Sequence, residues 1–352
     1  LRGRRAHTMA GMPQVADHLA ELTGFRDRDV LDTTLVGVLR DLLRPLAVTV
    51  CHQVGDSAQQ HWLVRARLAE GDVAAGADSV WAELDELPKL EAFPARLECL
   101  RKQEPVEVAG ATHITCFPLL TDLDAVGVLE IESRGDLDAD QLRTVSSMLR
   151  VYRNMQGLLD YSERDMLTGL LNRKTFDDAF YKTCTATAEG QAPSEARRAV
   201  RRGTRAYLGI IDIDHFKRVN DSHGHLMGDE VLLLLSRLMR ASFRFHDRLY
   251  RFGGEEFVVL LRCGSDGHAR RAFERLRAAT EGYAFPQVGC ITVSIGFTDV
   301  RSGDNPSMAF ERADKAVYWA KGHGRNQVAE HAALVARGEL FEGQKTGDVE
   351  LF

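Results

Sequence analysis

Two strand-like runs, Leu249 to Phe252 and Phe257 to Leu261, meet across Gly253-Gly254-Glu255-Glu256, and this leaves the chain little choice but to fold back as a hairpin. Glycine permits φ > 0 and lets the backbone or phosphate of another molecule come close. Paired acids at such a turn repel each other unless a cation lies between them. A second apolar run, Tyr207 to Ile211, has the pattern of a buried strand and ends at Asp212-Ile213-Asp214. A carboxylate at the end of a core strand is placed to share a metal with Glu255 on a neighbouring strand. Mg²⁺ takes hard oxygen ligands, and two such ions can clamp both sides of an in-line phosphoryl displacement. Hairpin and strand end together predict a Mg²⁺–phosphate site; the bland alternative is a solvated turn with two harmless acids.

Five blocks in order set that alternative aside. They are Asp165-Met166-Leu167-Thr168-Gly169-Leu170-Leu171-Asn172-Arg173; Asp212 to Asn220 with Gly224-His225 and Gly228-Asp229; the Gly-Gly-Glu-Glu-Phe hairpin; Ile291 to Gly296; and Asp314, Tyr318, Ala320-Lys321 with Gly324-Arg325-Asn326. The segment 165–330 resembles a GGDEF domain, the catalytic domain of diguanylate cyclases. The resemblance implies condensation of two GTP into cyclic di-GMP with release of two pyrophosphates, across a homodimer whose halves each hold one GTP. It implies an α/β (α+β) fold with an antiparallel-rich central sheet in βαββαβ order, like adenylyl cyclases and polymerase palms. It also implies two Mg²⁺ per half-site, with Mn²⁺ as a substitute.

Residue by residue, the resemblance makes Asp212, the carbonyl of Ile213, Glu255 and Glu256 the metal ligands, with Glu255 and Glu256 as the catalytic acids; the general base stays open. Asn220 and Asp229 match the guanine-reading positions, and Asp229 favours GTP over ATP. Phosphates fall to the amides of Phe216 and Lys217, the glycines 253 and 254, and the cations Lys321 and Arg325. Arg244-Phe245-His246-Asp247 has the Arg-x-x-Asp spacing of the family's product-inhibition site, and Arg275 matches its second arginine. Cyclic di-GMP is therefore expected as both product and inhibitor. Asp165 and Asn172-Arg173 read as turn-shaping residues. Phe252 stands where a tyrosine is commoner. Tyr181 to Ala206, rich in arginine (Arg197, Arg198, Arg201, Arg202, Arg205), reads as a long exposed loop.

The remainder is less specific. A chain of 352 residues has room for two domains. A net charge of −6 does not favour nucleic-acid binding. No apolar run is long enough to span a membrane, no secretory signal is visible, and a cytoplasmic location is expected. The chain begins at Leu1, which reads as a fragment or altered start, with Met9 as a candidate start. Six cysteines without Cys-x-x-Cys spacing read as reduced thiols. Residues 14–133 resemble a GAF domain, a small-molecule sensor fold, with a PAS-like sensor as the alternative. The pattern predicts a helix over 32–46 with Leu35, Val38, Leu39, Leu42 and Leu43 inward, strands over 46–54 and 62–68, and a closing hairpin at 112–132 turning at 121–124. Cys51-His52, His113 and Cys116 could hold a haem or metal, but read more simply as core residues. Over 138–164, Leu142, Val145, Leu149, Tyr152, Met155 and Leu159 recur every three or four positions, with a phase slip near Met155 and Met166 seven positions beyond, which predicts a coiled-coil-like signalling helix. Residues 331–352 read as a tail. Two further readings stay open: a non-catalytic cyclic di-GMP receptor, and a partner-binding scaffold.

Overall fold

The computed structural model describes residues 12–24, 27–55, 59–79, 82–121, 125–185 and 204–341. The turn expected at 121–124 and the arginine-rich loop lie largely outside these residues, as do 342–352. The chain divides into two compact units, Leu1–Ser162 and Glu163–Phe352.

The N-terminal unit starts with helices α1 (Met12–Gly24) and α2 (Arg28–Leu43). Asp27 caps α2, its carboxylate accepting the Asp29 amide at 2.9 Å. Strands β1 (Ala47–Gly55) and β2 (Gln60–Ala69) form a hairpin; helix α3 (Pro94–Lys102) and strands β3 (Val106–Ala109), β4 (His113–Leu120) and β5 (Ala125–Ser133) follow. They pair antiparallel in the order β2-β1-β5-β4-β3. Alternation along the strands gives each face its own core. Val48, Val50, Leu129 and Ile131 pack with Leu35 and Leu39 of α2. On the other face Cys51, Trp62, Cys116 and Val128 pack with Leu90 and Cys99.

Helix α4 (Ala139–Glu163) begins in a capping box: Asp138 accepts the amides of Asp140 and Gln141, and Gln141 accepts that of Asp138. Much of its apolar stripe packs within the unit itself. Val145, Tyr152 and Leu159 are buried in the unit's own core, and Leu142, Leu149 and Met155 pack against it. Met166 lies beyond the helix and is exposed. Polar groups fix this packing. The Tyr152 hydroxyl donates to Asp32 Oδ1 at 2.5 Å, and Gln156 Nε2 donates to Tyr152 Oη at 2.9 Å. Arg65 Nε donates to Asp32 Oδ2 at 3.0 Å. Arg28 spans Gln156 Oε1 (2.6 Å) and Asp160 Oδ1 (2.7 Å).

The C-terminal unit contains β6 (Leu171–Asn172), α5 (Phe176–Thr185), β7 (Arg205–Ile213), α6 (Phe216–His223), α7 (His225–Ser242), β8 (Arg248–Gly253), β9 (Glu256–Cys263), α8 (Asp266–Glu281), the small hairpin β10 (Ala284–Phe285) and β11 (Gly289–Cys290), β12 (Val293–Asp299), α9 (Pro306–Gly322), β13 (Val328–Glu330) and α10 (His331–Ala336). The sheet order is β13-β12-β7-β9-β8-β6. The central pairs are antiparallel and the two edge pairs parallel, so the antiparallel-rich expectation holds at the centre. The helix expected between β7 and β8 is broken in two at Gly224, which has φ 82°. Ile211, Phe257, Val259 and Ile295 face Val231, Leu235 and Phe273. Leu208, Ile210, Val258 and Leu260 face Phe176, Phe180, Ala313 and Val317. Residues 331–341 are not a free tail: Leu334 of α10 is buried with Ala316, Ala320 and Ala329. Among the described residues no helix is long and apolar enough to cross a membrane.

Candidate functional site

Strand pairing builds the acidic end of the sheet. Asp212 stands directly opposite Glu256 on β9 and Ser294 on β12, so these side chains share one face. Gly253 (φ 146°) and Gly254 (φ 52°) make the tip that delivers Glu255, which is half-buried like Glu256. Burial pushes all three carboxyls above the usual carboxylate range. Asp212 repels both glutamates, and Asp314 adds to the rise at Glu256 and Asp212. The relief present is Lys321 Nζ, 2.7 Å from Asp212 Oδ2. Asp212 Oδ1 is buried without a hydrogen-bond partner. An orphaned carboxylate oxygen among mutually repelling acids fits a hard divalent cation. The acids are not drawn into a closed cage: among the described residues no three His, Cys, Asp or Glu groups converge in metal-holding geometry.

Ile213 ends β7, and His215 (φ 60°) turns the chain so that Phe216 and Lys217 open α6. No side-chain hydrogen bond caps that helix start, and its first amides have no intrahelical acceptor. Lys321 ends α9, and Gly324, Arg325 and Asn326, all with positive φ, carry Arg325 on an exposed turn. Asn220 and Asp229 lie on α6 and α7. Gly228 is a requirement of this pairing, because a Cβ there would fall 2.0 Å from Asn220 Oδ1. Asp229 is exposed.

Arg244 and Asp247 lie in the turn between α7 and β8. Asp247 accepts the Arg244 amide at 2.9 Å, which makes the pair a capped turn with an exposed arginine. Arg275, the expected second arginine, lies on α8. Its guanidinium is engaged by the Ser242 carbonyl (Nε at 2.8 Å), so it braces the end of α7 beside that turn.

Several supporting residues escaped the sequence reading. Asp214 is buried and accepts Thr292 Oγ1 and Ser294 Oγ, each at 2.7 Å, and the Asn326 amide at 3.0 Å. Its spacing of two from Asp212 was the available signal. Arg251 joins Asp165 (3.0 Å) to the Gly254 carbonyl (2.9 Å), so the opening turn steadies the glycine tip. Phe252 stacks on Phe310 and meets Phe176 edge-on, an apolar setting that suits phenylalanine. In the N-terminal unit Cys51 and Cys116 are core residues, and His113 pairs with Asp136 at 2.6 Å. Among the described residues the cysteines are free thiols.

Residues 162–327 match the family described as diguanylate cyclase, GGDEF domain. Diguanylate cyclase DgcP of Pseudomonas aeruginosa is 41% identical over 167 residues, covering 47% of this chain and 23% of that protein. Response regulator PleD of Caulobacter vibrioides is 37% identical over 186 residues, covering 51% and 38%. The chain therefore spans well under two thirds of these relatives. The crystal structure of the GGDEF domain of DgcB from Caulobacter crescentus in complex with c-di-GMP shares 31% identity, with 49% of this chain and 96% of that chain covered and a TM-score of 0.42. Residues 162–327, the body of the C-terminal unit, belong to the GGDEF, or diguanylate cyclase, domain family.

Proposed function

We propose that the chain is a diguanylate cyclase that condenses two GTP into cyclic di-GMP. The observation that carries this is the Asp212–Glu256 register beside the Gly253-Gly254 tip, with Asp212 Oδ1 orphaned. Asp212, the Ile213 carbonyl, Glu255 and Glu256 would hold Mg²⁺, which lowers the pKa of the attacking 3′-hydroxyl and neutralises charge on the α-phosphate. Around it the chain's own groups orient GTP. Asn220 and Asp229 address guanine, the Phe216 and Lys217 amides and Gly253-Gly254 approach the phosphates, and Lys321 and Arg325 neutralise them. Two GTP-bearing copies must face each other, so the working form is a homodimer. Product inhibition is assigned to Arg244, Asp247 and Arg275. The five-stranded N-terminal sheet supports a GAF-like or PAS-like sensor, and α4, continuous in the chain with the cyclase unit, is its output element.

The test is incubation of protein, stripped of bound nucleotide, with GTP and Mg²⁺, followed by chromatography. Cyclic di-GMP is expected with wild type, falling about a thousandfold in Glu255→Ala, since the metal supplies several kcal/mol of transition-state stabilisation. Cyclic di-GMP binding without turnover in the wild type would replace this reading with the receptor.

A further inference from the structure

The turn carrying Arg325 is an improbable one. Three successive residues have positive φ: Gly324 (106°), Arg325 (61°) and Asn326 (44°). Arg325 carries a side chain that disfavours this region, so the conformation persists only where neighbours over-determine it. The Arg325 amide donates to the Ala320 carbonyl at 3.0 Å, which ties the turn to the end of α9. The remaining hold passes through Asn326. Its backbone N–H donates to Asp214 Oδ2 at 3.0 Å. Its side-chain oxygen accepts Arg277 Nη1 at 2.8 Å, and its side-chain nitrogen donates to Glu281 Oε1 at 2.8 Å. Arg277 also bonds Glu281 Oε2 at 2.7 Å, which closes a ring of three side chains. One asparagine thus joins the metal strand, through Asp214, to helix α8, with the exposed Arg325 held next to it.

We infer that Asn326, clamped by Arg277 and Glu281, is a positioning residue that holds Arg325 in a fixed direction for a nucleoside triphosphate. This rests on the GTP-binding reading of the site. Asparagine suits the position because it tolerates the left-handed region and offers both a donor and an acceptor. A guanidinium held in a fixed direction can meet two phosphate oxygens at once, which a freely moving one does only with loss of entropy.

The experiment measures binding of a non-hydrolysable GTP analogue and of GMP to the full chain. Asn326→Gly keeps the left-handed geometry and removes the amide; Arg277→Leu breaks the same clamp from α8, so misfolding of one variant does not decide the outcome. Each is expected to weaken the GTP analogue about tenfold and leave GMP unchanged, as loss of one charge-assisted hydrogen-bond arrangement would do. Arg277→Lys, which keeps a donor, should recover part of the loss. The Arg325→Ala/Asn326→Gly double variant should bind no worse than Arg325→Ala, because the two act as one unit. Equal weakening of GTP analogue and GMP, unchanged binding, or multiplicative losses in the double variant would overturn the inference while wild-type turnover kept the cyclase reading intact. A wild type that binds no GTP analogue removes both.

Discussion

Both units of this chain take carboxylates out of water, and they treat them in opposite ways. In the N-terminal unit Asp32 is fully buried and both its oxygens are engaged, one by Tyr152 and one by Arg65. In the C-terminal unit Asp212 is left with one buried oxygen unpartnered, facing Glu256 across the sheet. A satisfied buried carboxylate fixes one arrangement of its neighbours, whereas an unsatisfied one raises the energy of the empty site and lowers it again when a cation arrives. The contrast separates a structural use of acids from the ligand-binding use proposed for Asp212 and Glu256.

The contrast breaks most visibly at Asp32. Asp32→Ala strips Arg65 and the Tyr152 hydroxyl of a buried partner and should cost about 3–5 kcal/mol of N-terminal stability, read by denaturant unfolding. A cost under about 1 kcal/mol would mean the network is ornamental. His52 gives the next largest effect. Burial lowers its pKa from 6.5 to about 4, and its Nε2 has no partner. Its stabilising contribution is thus complete above pH 6.5, because the folded state holds it neutral. It is lost as pH falls toward 4 and the unfolded state takes up the proton. The loss reaches on the order of 3 kcal/mol. His52→Leu should flatten the stability profile between pH 4 and 6.5; an unchanged profile would assign the acid sensitivity elsewhere. A smaller effect is expected at Gly228, where Ala would press on Asn220. Guanine-nucleotide affinity should fall about tenfold with little change in Tm, and a retained affinity would remove Asn220 from guanine recognition.

Much of the C-terminal unit was legible because its signals are local. The run Tyr207–Ile211, the twin glycines and the acids beside them declare strand, turn and charge within a few residues. The N-terminal unit hid what matters. Asp32 lies on the same helix face as Leu35 and Leu39, where an apolar pattern gives no reason to expect a carboxylate, and its partner Tyr152 is 120 residues away. The stripe on α4 was legible as a stripe, but periodicity does not say what covers it. Here the core around Leu35 and Leu39 covers Val145, Tyr152 and Leu159. Asn326 and Asp214 were missed for a related reason, since each acquires its role from elements that only the sheet brings together.

The most direct test compares thermal unfolding of wild type and Glu256→Gln, each with and without Mg²⁺. If the acids are held against their own repulsion to receive a cation, removing one charge should raise the metal-free Tm by a few degrees at neutral pH, abolish stabilisation by Mg²⁺ and abolish turnover. A variant less stable than wild type without metal, and stabilised by Mg²⁺ as much as wild type, would contradict it.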